Sequence, residues 1–218
     1  MNGRHNTDKM VALIVWLVVC LRGAGVAQTV RKEKPNAPIG PSEFKALAQQ
    51  CAPDVPVITL RAIARAESAF RPYALSLNYP KRTAREQGLN CGGMFLSRQP
   101  RTLEEARAWT RYLLDRGRSV SIGLLQINSE QAANLSLTPD QLFDPCTNVK
   151  AGARLLSMYY VQAASVLGEG QEALRYALSG YNSGLPLVGF RNGYVGSVLS
   201  GELSVTSQIH DDDPTGSK

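Results

Sequence analysis

Glu67 is the acid whose neighbours place it where a leucine belongs. From Pro56 to Phe70 the apolar residues Val57, Leu60, Ile63 and Ala64 recur at helical spacing, and Glu67 is the next position on that stripe. Arg61 and Arg65 fall on a different side of the same helix, as a solvated face requires. A carboxyl drawn toward an apolar core loses hydration, which disfavours its charged form and raises its pKa. Still protonated near neutral pH, it is equipped to act as a general acid. The competing reading ends the stripe at Ala64 and leaves Glu67 at its wet edge.

Other chemistries lack their residues. The histidines are His5 and His210, both in terminal segments read below as a leader and a tail. The body of the chain therefore holds no imidazole to activate a serine or cysteine, or to complete the common catalytic zinc sites. Neither a GxxxxGK[ST] phosphate loop nor a GxGxxG dinucleotide fingerprint occurs. No metal and no cofactor is expected. Glu104, Glu105 and Asp115 sit on the wet face or at the end of their helix, Asp140 and Asp144 flank turns, and Glu169 and Glu172 open a helix, where negative charge is favourable. No second acid stands on an apolar stripe as Glu67 does. Most glycoside hydrolases use two carboxylates. A single buried glutamate implies that the substrate supplies the second function.

The elements that must position Glu67 begin after a leader. Arg4 and Lys9 precede the apolar run Met10 to Leu21, and Gly25-Val26-Ala27 has the small-x-small form of a cleavage site. Residues 1–27 thus read as a secretory signal peptide cleaved after Ala27. The run is short of the roughly 20 apolar residues a membrane span needs. Val19 is bulky for the position before a lipoprotein cysteine at Cys20. Export leaves Cys51, Cys91 and Cys146 in a disulfide-permissive compartment, an odd number whose pairing the residues leave open. The formal net charge is +6. The basic stretch from Lys81 to Arg118 is interrupted by Glu86, Glu104, Glu105 and Asp115, with no nucleic-acid motif, so it reads as a solubilising surface and not as a nucleic-acid site.

Residues 28–41 are polar, basic and rich in proline, a flexible lead-in to a domain spanning 42–203. Ser42 to Gln50 forms a short helix. Asp54 caps the Glu67 helix, with Pro56 in its first turn and Pro72 ending it. Tyr73 to Ser97 reads as a loop or small β-hairpin region. Thr102 and Glu105 form a capping-box pair for a helix to about Arg116, with Leu103, Ala106, Trp109 and Leu113 inward. The tight apolar string IGLLQIN follows. Thr138-Pro139 opens a short helical turn, and Thr147 or Asn148 caps a long helix to about Leu167, with Val149, Ala153, Leu156, Tyr160 and Ala163 on one face. Further helices cover Gln171 to Leu178 and start near Tyr194. The polar stretch 204–218 reads as a disordered tail.

The motifs Ala66-Glu67-Ser68, Gly123-Leu124-Leu125-Gln126-Ile127-Asn128, Tyr181-Asn182-Ser183-Gly184 and Tyr194-Val195 follow in order. With QCAPDVP, ESAFRPYAL, SRQPRTLEEA and FDPCTNVKAGARLL around them, they resemble those of lytic transglycosylases of the goose-lysozyme-related (SLT) superfamily. The closer likeness is to the periplasmic transglycosylase of type IV secretion and conjugation machines. It covers about Phe44 to Leu199.

This resemblance implies a mostly α, lysozyme-like α+β fold, in which a helical domain and a small β or irregular lobe line a substrate cleft. It implies cleavage of the β-1,4 bond between N-acetylmuramic acid and N-acetylglucosamine in peptidoglycan, ending in a 1,6-anhydromuramoyl sugar. Such cleavage, in the periplasm, would open the wall locally for a secretion apparatus. Glu67 would serve as acid and then base, and Ser68 would orient the site. Gln126 and Asn182 would bind sugar acetamides or hold the cleft wall, and Tyr181 and Tyr194 would position Glu67 or stabilise developing positive charge. A Cys51–Cys146 bridge is also implied, which leaves Cys91 over. Gly180 and Ser183 stand where the family usually has alanine. Read from the residues alone, Ser68 could equally be an exposed helix residue, Gln126 purely structural, Tyr181-Asn182 a helix-ending turn and Tyr194 a core residue. The alternatives for function are a lysozyme-like hydrolase of the same bond and a non-catalytic peptidoglycan-binding scaffold.

Overall fold

A computed structural model describes residues 35–78, 94–96 and 98–201. The expected signal peptide, the first part of the lead-in, Cys91 and the expected tail lie outside the described residues. Residues 35–40, which composition assigns to a flexible lead-in, are instead tied to the domain. Asn36 donates through its side chain to Pro100 O (2.8 Å) and accepts from Tyr73 N (2.9 Å), and Ile39 N donates to Phe70 O.

Helix α1 (Pro41–Cys51) turns Phe44, Ala48 and Cys51 inward. Helix α2 (Val57–Ser68) carries Glu67 in its last turn. Asp54 does not cap it: the N-cap position is Pro56, which has no side-chain acceptor, and Asp54 is exposed two residues earlier. Pro72 does not end it either. The chain leaves the helix through a left-handed turn at Ala69 (φ 49°) and Phe70 (φ 62°), with Phe70 N donating to Ala64 O. Those strained angles are held because the Phe70 ring packs edge-on against Phe44, 5.3 Å between centroids.

The β element extends beyond the hairpin region expected over Tyr73 to Ser97. Strands β1 (Leu75–Asn78), β2 (Met94–Phe95), β3 (Ser119–Ile122) and β4 (Ile127–Asn128) form an antiparallel sheet in the order β2-β1-β3-β4. The pairs Leu75↔Ile122, Leu77↔Val120 and Ile122↔Ile127 place apolar side chains on one face, and most of these residues are fully buried. Ser76↔Ser121, Asn78↔Ser119 and Ser121↔Asn128 make the opposite face a polar row. Strands β3 and β4 carry too short an alternation to be read from sequence. Pairing with β1 makes β3 a strand, and β3 in turn pairs with β4.

Helix α3 (Leu103–Leu114) buries Ala106 completely and half-buries Leu103, Trp109 and Leu113. Only half of its capping box forms. Thr102 Oγ1 accepts from Glu105 N, but the Glu105 carboxylate takes Arg101 N and pairs with Arg98. Helix α4 (Ser129–Asn134) and a 3-10 turn (Pro139–Phe143) lead to the long helix α5 (Pro145–Leu167). Its cap is Asp144, which accepts from Thr147 N at 2.8 Å, so neither Thr147 nor Asn148 caps it. Helix α6 (Gln171–Ser183) extends five residues beyond Leu178 and packs along α5. Helix α7 (Val188–Arg191) and helix α8 (194–201) close the described chain.

The core lies between α2, α5, α6 and the apolar sheet face. The face of α5 expected inward is buried from Val149 to Leu156, whereas Tyr160 and Ala163 are half-buried, because the helix outruns the core. Cys51 and Cys146 form a disulfide that ties the end of α1 to the first turn of α5. Among the described residues no helix is long and apolar enough to cross a membrane. The architecture is the mostly α arrangement with a small β lobe that the sequence indicates.

Candidate active site

Helix α2 buries Leu60, Ile63 and Ala64 as expected, and also Thr59, Ala62 and Ser68, so its buried face is wider than the apolar stripe. Glu67 stands at the border of that face. By surface area the residue is half-buried, yet its carboxyl is enclosed by surrounding protein. That enclosure explains why its charge is disfavoured. Burial pushes the carboxyl up to about 7, against a smaller opposing effect of a hydrogen bond from Tyr194. That bond is the phenol of Tyr194, at the start of α8, donating to Glu67 Oε1 at 2.7 Å. Burial and then the Glu67 charge hold the Tyr194 phenol well above its ordinary value, so it stays a donor.

Ser68 is buried, which removes the reading as an exposed helix residue. Its hydroxyl lies 2.8 Å from Leu124 O and 3.1 Å from Ala64 O, joining α2 to the turn after β3. In that turn Gln126 has φ 50°, a left-handed conformation costly for a residue with a side chain. Both hydrogens of its amide are engaged, with Ala74 O at 3.0 Å and Gly123 O at 2.9 Å. Gln126 thus braces the turn against the start of β1 through its amide hydrogens.

Tyr181 and Asn182 lie in the last turn of α6 and not in a loop after it. The buried Tyr181 hydroxyl donates to Leu125 O at 2.7 Å. Burial, and next the charge of Glu67, raise its pKa, so the phenol shares the electrostatic surroundings of that carboxyl. Asn182 accepts from Asn192 Nδ2 at 2.8 Å, which links α6 to the segment between α7 and α8. The other described acids are exposed except Glu105, which is half-buried and paired with Arg98. Among the described residues no cluster of acids, cysteines or histidines could hold a metal.

One proton-bearing carboxyl, a neutral phenol on it and a braced turn beside it are therefore the described equipment. A family model, the transglycosylase SLT domain, matches residues 44–200 and so takes in every one of these groups. The chain belongs to the transglycosylase SLT domain family.

Similar proteins carry related names. The chain is 38% identical over 172 residues to protein virB1 of Rhizobium radiobacter, covering 79% of this chain and 66% of the relative. It is 38% identical over 149 residues to the type IV secretion system protein virB1 of Brucella suis, covering 68% of this chain and 57% of the relative. The chain thus spans less than two thirds of the length of these relatives. No solved structure gives a significant match.

Two residues of this SLT domain escape a reading of the sequence alone. Ser76 shares the polar sheet face with Ser121 and Asn128, two residues along the chain from Ala74, whose carbonyl with that of Gly123 anchors Gln126. A lone serine in a four-residue strand gives no signal until the register is known. Asn148 reads as a helix cap but is fully buried, and it bonds Leu125 N (2.8 Å), Ile122 O (2.8 Å) and Leu142 O (2.9 Å). Its signal is faint: a polar residue one turn before Gly152, beside Val149 and Ala153 on the inward face.

Proposed function

We propose that this SLT domain cleaves the β-1,4 bond between N-acetylmuramic acid and N-acetylglucosamine by intramolecular transglycosylation. The observation that carries the reading is Glu67, a half-buried residue with a desolvated carboxyl whose pKa of about 7 suits it to give and take one proton at neutral pH. In the first step the Glu67 carboxyl donates its proton to the glycosidic oxygen as the C1–O bond breaks and the N-acetylglucosamine hydroxyl leaves. In the second, the Glu67 carboxylate accepts the proton of the muramoyl C6 hydroxyl as that oxygen bonds to C1. The product is a 1,6-anhydro sugar, no water is consumed, and Glu67 ends protonated as it began. The hydroxyl is already tethered to the reacting carbon, which supplies by proximity what a second carboxylate would do by activating water.

Tyr194 keeps the Glu67 carboxyl oriented through both steps. The Tyr181 and Ser68 hydroxyls hold successive carbonyls of the neighbouring turn, and Gln126 and Asn182 offer neutral hydrogen-bonding groups suited to acetamides and sugar hydroxyls. The secretion-system name of a relative supports a role in opening the wall for a type IV apparatus, and the leader-like residues 1–27 support a periplasmic location. Digestion of purified peptidoglycan followed by mass analysis of the muropeptides tests the chemistry. Anhydromuramoyl ends that vanish with Glu67→Gln are expected. Reducing ends would make it a hydrolase, and no digestion by the wild type would leave a binding scaffold.

A further inference from the structure

We infer that Asn148 is a positioning residue for Glu67, acting through the turn 123–126 that its buried amide clamps. The inference rests on the transglycosylase reading above. Asn148 uses its side-chain carbonyl to accept from Leu125 N and its two amide hydrogens to hold Ile122 O and Leu142 O. The fit is close. A Cβ on Gly123, whose φ is +82°, would stand 2.3 Å from Asn148 Nδ2 and 2.8 Å from its Cγ, so the turn has glycine where the amide lies against it. One helical turn along α5, Gly152 leaves room for Leu125: a Cβ there would meet Leu125 Cδ1 at 2.4 Å and Tyr181 Oη at 3.0 Å. Helix α5 therefore grips the turn twice, by the side-chain amide of Asn148 and by the bare backbone at Gly152, against which Leu125 packs.

The gripped turn presents two carbonyls in succession. Leu124 O takes the hydroxyl of Ser68, the residue after Glu67, and Leu125 O takes the hydroxyl of Tyr181. Helices α2 and α6 are thus referenced to one loop, and the Glu67 charge on α2 is felt at the Tyr181 phenol on α6. A turn free to rotate would misdirect both carbonyls, loosen Ser68 and admit water to Glu67. The consequence is a change in proton affinity and not only in stability, because the desolvation of Glu67 depends on how tightly α2, α6 and the turn close around it.

The experiment uses the full chain, purified peptidoglycan strands and Asn148→Ala, measured well below its unfolding temperature. A folded N148A is expected to lose at least tenfold in kcat with KM within about twofold of wild type. Its pH–rate limb belonging to Glu67 is expected to move down by at least half a unit, toward the ordinary carboxylate range. Asn148→Asp, which at low pH is a neutral carboxyl able to accept from Leu125 N and donate to one carbonyl, is expected to regain activity relative to N148A as pH falls. A folded N148A with wild-type kcat and an unmoved limb overturns the inference, and so does activity lost only in proportion to the unfolded fraction. If N148A does not fold, Ser68→Ala breaks the same linkage with the amide clamp intact, and an unmoved limb there is equally fatal. Wild-type protein that releases no muropeptide refutes the parent reading instead, so the two failures are distinguishable.

Discussion

The phenol of Tyr194 donates to Glu67 Oε1 at 2.7 Å across 127 positions of sequence, which makes the start of α8 a wall of the site built on α2. A hydrogen bond to a carboxylate favours its charged form. Tyr194 therefore holds the Glu67 pKa below the value burial alone would set.

Tyr194→Phe should raise the Glu67 pKa above about 7 and shift the corresponding pH–rate limb upward, opposite in sign to the shift from loosening the site. Losing a hydrogen bond to a charged group, worth about 1.5–3 kcal/mol, is expected to lower kcat by about tenfold or more. A pH–rate series on peptidoglycan reads both effects, and a downward shift would contradict the assignment.

Glu67→Gln should abolish turnover, by a factor on the order of 10²–10⁴ or more, while stabilising the fold at high pH. Between about 4.5 and about 7 the folded chain keeps a proton on Glu67 that the unfolded chain releases, so stability falls as pH rises through that window and levels off above it. The variant lacks this slope. Urea unfolding should show a gain of at most about 3 kcal/mol at pH 8 and none at pH 4. A gain independent of pH would refute the buried-charge account.

Gly152→Ala should destabilise the domain, because the new methyl falls within 2.4 Å of Leu125 Cδ1. Overpacking of this kind costs about 1–3 kcal/mol, or several degrees in Tm. Gly196, exposed in α8 with open space around its added Cβ, is the control: Gly196→Ala should be neutral or stabilising by up to about 1 kcal/mol. Equal Tm values for the two variants would count against the tight packing of the turn on α5.

Reducing the Cys51–Cys146 bridge, which spans 95 positions, should cost on the order of 4–5 kcal/mol of stability in the chain-entropy picture. Denaturant midpoints with and without reductant measure this. Peptide mapping of the oxidised chain should recover Cys51 joined to Cys146, and a Cys91-containing link in its place would exclude the arrangement.

Much of the helical frame was legible because periodicity is a local property. The stripe leading to Glu67, the turn opened by Thr138-Pro139 and the long run after Asp144 all follow from neighbours within a turn or two of helix, and the scarcity of histidine from composition. Glu67 was legible for the same reason, as an acid out of place. Cap details such as Asp54 and Thr147 were not, because several acceptors compete near each helix start and the backbone entry angle chooses among them. Strands β3 and β4 were not, because so few residues become a strand only when a neighbour supplies the other half of each hydrogen bond, β1 for β3 and β3 for β4. The sequence by itself determined that one acid stands next on an apolar stripe, in a chain body with no imidazole to share its work. The tertiary structure alone decided that Tyr194 reaches that carboxyl, that Ser68 and Tyr181 face a common turn, and that Asn148 is a clamp and not a cap. Those contacts join residues far apart in the chain, and only packing, which removes water from both partners at once, makes such pairs close and strong.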